Sequence, residues 1–192
     1  MIDAKTISAM RHLTTAELEA GLNDIRNAPK DCGTVQLIVR RPQTEEREVL
    51  DEAILDLTSG LVGDNWKTRG SKRTDDGSAH PDMQLNVMNA RVIALIAQEK
   101  VRWSLAGDQL YLDLDLSADN LPVGSRLEIG SAVIEVTPPP HTGCRKFVAR
   151  FGVEAMMFVN SDLGRQLRLR GLNARVIQPG TIRVGDEARK IS

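Results

Sequence analysis

Cysteine is scarce in this chain of 192 residues: there are two, Cys32 and Cys144, far apart and in no metal-ligand spacing. A small secreted scaffold carries more, so two reduced thiols in a soluble, cytoplasmic protein are the expectation. Histidine is as sparse, and His12, His80 and His141 are too scattered for a zinc motif. No stretch approaches the roughly 18 apolar residues of a membrane span. The N-terminus lacks the basic start and apolar run of a signal peptide. There is no P-loop and no GxGxxG. Neither sign of charge is in excess, since 25 Lys and Arg stand against 26 Asp and Glu. Nothing in that balance points to nucleic acid or a membrane as partner.

Charge is nevertheless uneven along the chain. From His141 to Ser192, ten Lys/Arg face four Asp/Glu, a net of +6. The stretch before it is acidic, with Asp108, Asp113, Asp115, Asp119, Glu128 and Glu135. Such asymmetry fits either two solvated faces of one domain or an anion-binding cleft in the C-terminal third.

Thr14 and Glu17 make a capping-box pattern, and Leu18, Leu22 and Ile25 recur at helical spacing up to Pro29. This predicts an N-terminal helical appendage over 1–32, ahead of a main domain over 33–192. From Gly33 the pattern becomes that of strands. Leu110, Leu112, Leu114 and Leu116 alternate with Tyr111, Asp113 and Asp115, which predicts a half-buried strand. A hairpin is expected at Gly130-Ser131, and Asn89 should cap a helix with Val92, Ile93 and Ile96 on its apolar stripe. The polar loop from Asn65 to Asp82 carries Lys67, Arg69, Lys72 and Arg73, and its length suggests a functional segment. Many short strands, Gly/Pro turns and few helices predict a mainly β fold, an antiparallel β-barrel with peripheral helices.

The segment PPPHTGCRKFVARFG, Pro138 to Gly152, holds the sharpest chemical signal. Prolines cannot donate to a ladder, so the preceding strand should stop at Thr137. Thr142 or Gly143 can cap a following helix, which puts Cys144 in its first turn among Arg145, Lys146 and Arg150. A positive helix end and basic neighbours favour a thiolate, the nucleophilic form. The competing reading is a small buried cysteine without chemistry. His141 is a turn residue or a candidate base.

The order of motifs then matters. "GLVGD", the basic loop, "MQLNVMNARV", "AGDQLYLDLDLSADNLPVGSRLEIG", "VIEVTPPPHTGCRKF" and "LRGLNARVIQPGTIRVGDE" follow one another. The series resembles the MOSC family, related to the C-terminal domain of molybdenum-cofactor sulfurases, over roughly residues 33–191. The resemblance implies a mainly antiparallel β-barrel in a stand-alone member. It implies a sulfur carrier or a binder of the molybdenum cofactor (molybdopterin), with Cys144 holding a persulfide or ligating the metal. A reductase of N-hydroxylated compounds, served by an electron-transfer partner, is one form of this. A sulfur donor protein would be the partner of a carrier. Arg145, Lys146, Arg168, Arg170 and Arg175 are the candidates to neutralise the cofactor's phosphate. Asp64 and Gln84 are candidates to position it, and Cys144 and His141 are the candidate catalytic pair. Pyridoxal phosphate belongs to a separate domain of the sulfurases and is not expected here. The alternative is a non-catalytic module that binds an anion or a partner protein and leaves the cysteine inert.

Overall fold

The structure is a computed structural model and describes residues 11–191; residues 1–10 of the expected N-terminal segment lie outside it. Strands β1 (Cys32–Arg40), β5 (Leu85–Asn89), β6 (Leu110–Asp113), β7 (Arg126–Ile129), β8 (Ala132–Pro140), β9 (Leu172–Gln178) and β11 (Glu187–Ile191) form a closed barrel. Their order is β1-β6-β5-β9-β8-β7-β11, and β11 returns to β1 through the pairs Cys32–Arg189 and Thr34–Glu187. β2 (Glu48–Leu50) adds to the edge of β1. β3 (Glu52–Asp56), β4 (Gly60–Leu61) and β10 (Gly180–Arg183) make a small separate sheet.

The barrel is antiparallel apart from one pair. β5 and β6 run parallel, because a helix over Ala90–Ala97 and a 3₁₀ turn over Lys100–Ala106 carry the chain back between them. Here α1 is Thr15–Ala20, α2 Leu22–Arg26, α3 Trp66–Arg69 and α4 Ala90–Ala97; later come α5 (Arg145–Phe151), α6 (Val153–Asn160) and α7 (Asp162–Gln166). The hairpin turns at Gly130-Ser131 as its glycine predicts.

Two apolar clusters hold the molecule. One fills the barrel and includes Leu110, Leu112, Leu114, Leu116, Ile134 and Val176. The other lies between the outside of the barrel and the helices, and includes Leu18, Ile25, Val92, Ile93, Ile96, Tyr111, Phe147 and Phe151. The β6 strand is therefore not half-buried. Tyr111 is fully buried on the face opposite the leucines, and its hydroxyl donates to the Trp103 carbonyl at 2.8 Å. Polar alternation marked two faces correctly, but helices cover the second.

Local signals set the helix ends. Thr14 and Glu17 form the capping box, and Asn89 accepts from the Arg91 amide. The strand before the triple proline does not stop at Thr137. β8 runs on to Pro140, which pairs with Leu172 across an irregular register. Prolines lack a donor but keep an acceptor, and Asn173 donates its amide to the Pro139 carbonyl at 2.9 Å. Gly171, just before β9, has φ +98, and a Cβ there would lie 2.2 Å from the Val87 carbonyl oxygen.

Candidate functional site

At one end of the barrel a cleft of about 300 Å³ opens between three segments. They are the loop after β1 (residues 41–47), the basic loop at residues 65–71, and the chain from His141 through α5. Cys144 is the N-cap of α5 rather than a first-turn residue; its thiol is free and exposed and makes no capping hydrogen bond. Phe147 and Phe151 anchor α5 in the helical core. Asn160, at the end of α6, pins the loop in front: the Gly143 amide donates to Asn160 Oδ1 at 2.9 Å. A Cβ at residue 143 would sit 3.2 Å from Asn160 Nδ2 and 3.3 Å from Met156 Cγ, so only glycine fits easily.

Two buried ion pairs form the floor. Arg41 donates Nε and Nη2 to Asp64, both at 2.8 Å, and Nη1 to Asn86 and the Gly107 carbonyl. Asp64 also accepts from the Trp66 amide at 2.9 Å. Arg170 donates Nη1 to both Asp108 oxygens, at 2.7 and 2.9 Å, and Nη2 to the Ala106 carbonyl. Its guanidinium lies 5.0 Å from the Phe147 ring centroid. Burial raises the Asp108 carboxyl above its ordinary range against the pull of Arg170. His141 Nδ1 lies 3.3 Å from Asp108 Oδ1 without hydrogen-bond geometry. Burial, then Arg170, Arg41 and Arg73, push the His141 imidazole well below its usual pKa. These surroundings favour the neutral imidazole over the charged one.

The rim carries the excess charge. Arg47, Arg69, Lys146 and Arg150 line the cleft with one acid, Glu45. Glu45 pairs with both Lys146 and Arg150. Among the described residues Arg47 and Arg69 have no carboxylate partner within ion-pair distance, and Arg47 Nε is buried without a hydrogen bond. Burial, with Arg150 and Arg41, lowers the Arg47 guanidinium from its ordinary value; partial burial and Arg41 do the same to Arg69. The rim is a crowd of like charges short of an anion.

Residues 74–189 match the family model of the MOSC domain. The chain belongs to the MOSC family. YuaD from Bacillus subtilis has a similar structure, with a TM-score of 0.56 at 16% identity over 84% of this chain and 97% of that one. YiiM from Escherichia coli matches at TM-score 0.53 and 21% identity, over 83% of this chain and 70% of that one. YiiM from Geobacillus stearothermophilus matches at 0.51 and 13%, over 83% and 73%. These likenesses establish the shared fold. None of the curated proteins matches the sequence.

Of the residues singled out in the sequence, this MOSC cleft gathers Cys144, His141, Lys146 and Arg170. Arg145 is exposed at the start of α5 and is not among the lining residues. Arg168 turns away and donates to the Leu116 and Leu121 carbonyls. Arg175 is on the outer face of β9, paired with Glu135 and Asp82. Gln84 bridges the Leu57 carbonyl and the Val176 amide, and so joins strands instead of touching the cleft. Asp64 lies beneath the cleft and spends its oxygens on Arg41 and Trp66. Sequence reading named Arg150 among the basic neighbours of the thiol but missed Arg41, Glu45, Arg47, Asp108 and Asn160.

The side chains present fit a phosphate-bearing pterin. Arg47 Nε is an orphan donor and Asn65 Oδ1 an orphan acceptor, both buried in residues that line the cleft. Among the described residues no group of three or more His, Cys, Asp and Glu side chains is placed to hold a metal ion. A metal at Cys144 would therefore bring most of its ligands with it, as a dithiolene-bearing pterin does. No helix among the described residues is long and apolar enough to cross a membrane.

Proposed function

We propose that this MOSC protein binds the molybdenum cofactor in the cationic cleft, with Cys144 as the chain's own ligand to the metal. The observation that carries this reading is the placement of an exposed thiol beside guanidinium groups that outnumber their acids. Arg47 and Arg69 would help to hold the phosphate, since among the described residues neither guanidinium is paired with a carboxylate. Asn65 would accept from an N–H of the pterin. Arg41 and Arg170 would supply a fixed positive floor, held by Asp64 and Asp108. Neutral His141 could accept or release a proton at Nε2 while its other nitrogen faces Asp108. The bound group would supply redox chemistry, as in a reductase of N-hydroxylated compounds, with electrons from a partner protein.

The exposure of Cys144 favours a second reading, that of a sulfur carrier. The thiolate would attack the outer sulfur of a donor protein's persulfide; the donor's S–S bond breaks, the donor leaves as a thiolate, and Cys144 keeps the sulfane sulfur. Metal analysis and intact mass of protein made in molybdenum-replete cells separate the two. Bound molybdenum that is lost in Cys144→Ser, with unchanged circular dichroism, supports cofactor ligation. A mass gain of one sulfur atom on Cys144 supports the carrier. Neither signal in wild type leaves an anion-binding module with an inert cysteine.

A further inference from the structure

Glu45 is the one acid on the rim, and its backbone is unusual. Its φ is +68, one of three positive values at non-glycine residues among the described residues. Side chains rarely adopt that conformation, and it persists where other contacts over-determine it. The loop that presents Glu45 is a strap held at both ends. Arg41 is locked onto Asp64 at one end, and β2 pairs with β1 at the other. Across the cleft, Lys146 and Arg150 are four residues apart on α5 and so share a helix face. Arg150 Nη1 is fixed by the Leu105 carbonyl at 2.7 Å, which leaves Nη2 for Glu45. The side chains of Glu45 and Lys146 are 55% and 59% exposed, so the strap is closed by contacts that water can replace.

We propose that Lys146 and Arg150 form a phosphate subsite next to Cys144, and that Glu45 is its built-in plug, displaced when a phosphate dianion enters. The inference rests on the cationic-cleft reading and adds a self-ligand to it. One carboxylate is shared between Lys146 and Arg150, with Arg47 close enough to be influenced by it. A dianion with three acceptor oxygens serves those cations better than a monoanion with two. Glu45, Arg47 and Arg69 precede the residues matched by the family model, whereas Lys146 and Arg150 lie within them. The plug is thus supplied by the part of the chain outside that match.

The test is calorimetric titration of inorganic phosphate into wild type, Glu45→Gln, Lys146→Met and the double variant, all free of cofactor. Glu45→Gln should tighten phosphate binding on the order of fivefold, the size expected when an exposed competing pair is removed. Lys146→Met should weaken it, and in the double variant most of the gain should vanish. Phosphate binding to wild type that does not tighten in Glu45→Gln overturns the plug but leaves the cationic cleft standing. No phosphate binding in either protein overturns both. The phosphate could belong to the pterin or to a phosphorylated substrate, and a second titration into cofactor-loaded protein distinguishes them. Competition assigns the subsite to the cofactor, undiminished binding assigns it to a substrate, and the plug stands in either case.

Discussion

Arg41 and Arg170, on the floor of the cleft, each face a fully buried carboxylate, whereas among the described residues Arg47 and Arg69, on its rim, face none. The same side chain therefore has opposite relations to the fold. A floor arginine is balanced by the protein, and its loss leaves a stranded charge. A rim arginine repels its neighbours, and its loss relieves them. Positive charge near a thiol is thus not by itself a binding site. What marks the rim is charge that the fold has not neutralised.

The strongest way to break this comparison is to remove a floor acid. Asp108→Asn should destabilise the protein by about 3–5 kcal/mol, because it leaves Arg170 buried without its counter-charge. Urea denaturation measures this directly. A loss below about 1 kcal/mol would mean that Arg170 is solvated and belongs to the rim. The matching rim variant is Arg47→Met. Its stability should stay within about 0.5 kcal/mol of wild type. Its phosphate affinity should fall by about 1.5–3 kcal/mol, the scale of a hydrogen bond to a charged group.

The division between floor and rim was hidden in the sequence for a physical reason. The barrel was legible: leucines at every second position from Leu110 to Leu116 faced one core, and glycine marked the hairpin at residue 130. The Cys144 loop was legible because prolines, glycine and a basic run punctuate it. Ion-pair partners were not. Arg41 and Asp64 are 23 residues apart and Arg170 and Asp108 62 apart, and no periodicity links them. The stretch from Arg40 to Arg47 carries both signs of charge side by side, so nothing in its sequence singles out Glu45. In the structure Glu45 reaches α5. Arg175 was the avoidable error. Ala174 and Val176 point inward on β9, so strand alternation sends Arg175 out.

His141 sharpens the floor. Its folded-state pKa is depressed below the ordinary value of about 6.5, because burial and the guanidinium groups of Arg170, Arg41 and Arg73 oppose its protonation. The unfolded chain therefore binds the proton more readily. The contribution of neutral His141 is fully present above about pH 6.5 and is lost as pH falls, with a slope of up to about 1.4 kcal/mol per pH unit for one group. Asp108, with its carboxyl raised, acts with the opposite sign at lower pH. Unfolding of His141→Gln should show a shallower loss of stability from pH 6.5 downwards than wild type. Parallel curves would mean that Asp108 accommodates a charged imidazole.

The smallest effect, and the most local, concerns the two cysteines. Cys32 and Cys144 are both free and exposed, so access alone does not separate them. Their surroundings do. Cys144 lines the cationic cleft, while Cys32 begins β1 opposite Arg189, which is paired with Glu187. An anionic alkylating reagent is drawn to a positive field and a neutral one is not. The ratio of iodoacetate to iodoacetamide rates, measured by peptide mapping, should be several-fold higher at Cys144 than at Cys32. Taking the ratio at each site cancels differences in intrinsic thiol reactivity. Raising ionic strength from about 0.01 M to 1 M shortens the screening length from about 30 Å to 3 Å and should bring the two ratios together. Equal ratios at low salt would mean that Glu45 already neutralises the rim as Cys144 experiences it. In that case the cleft would become cationic only after its plug had left.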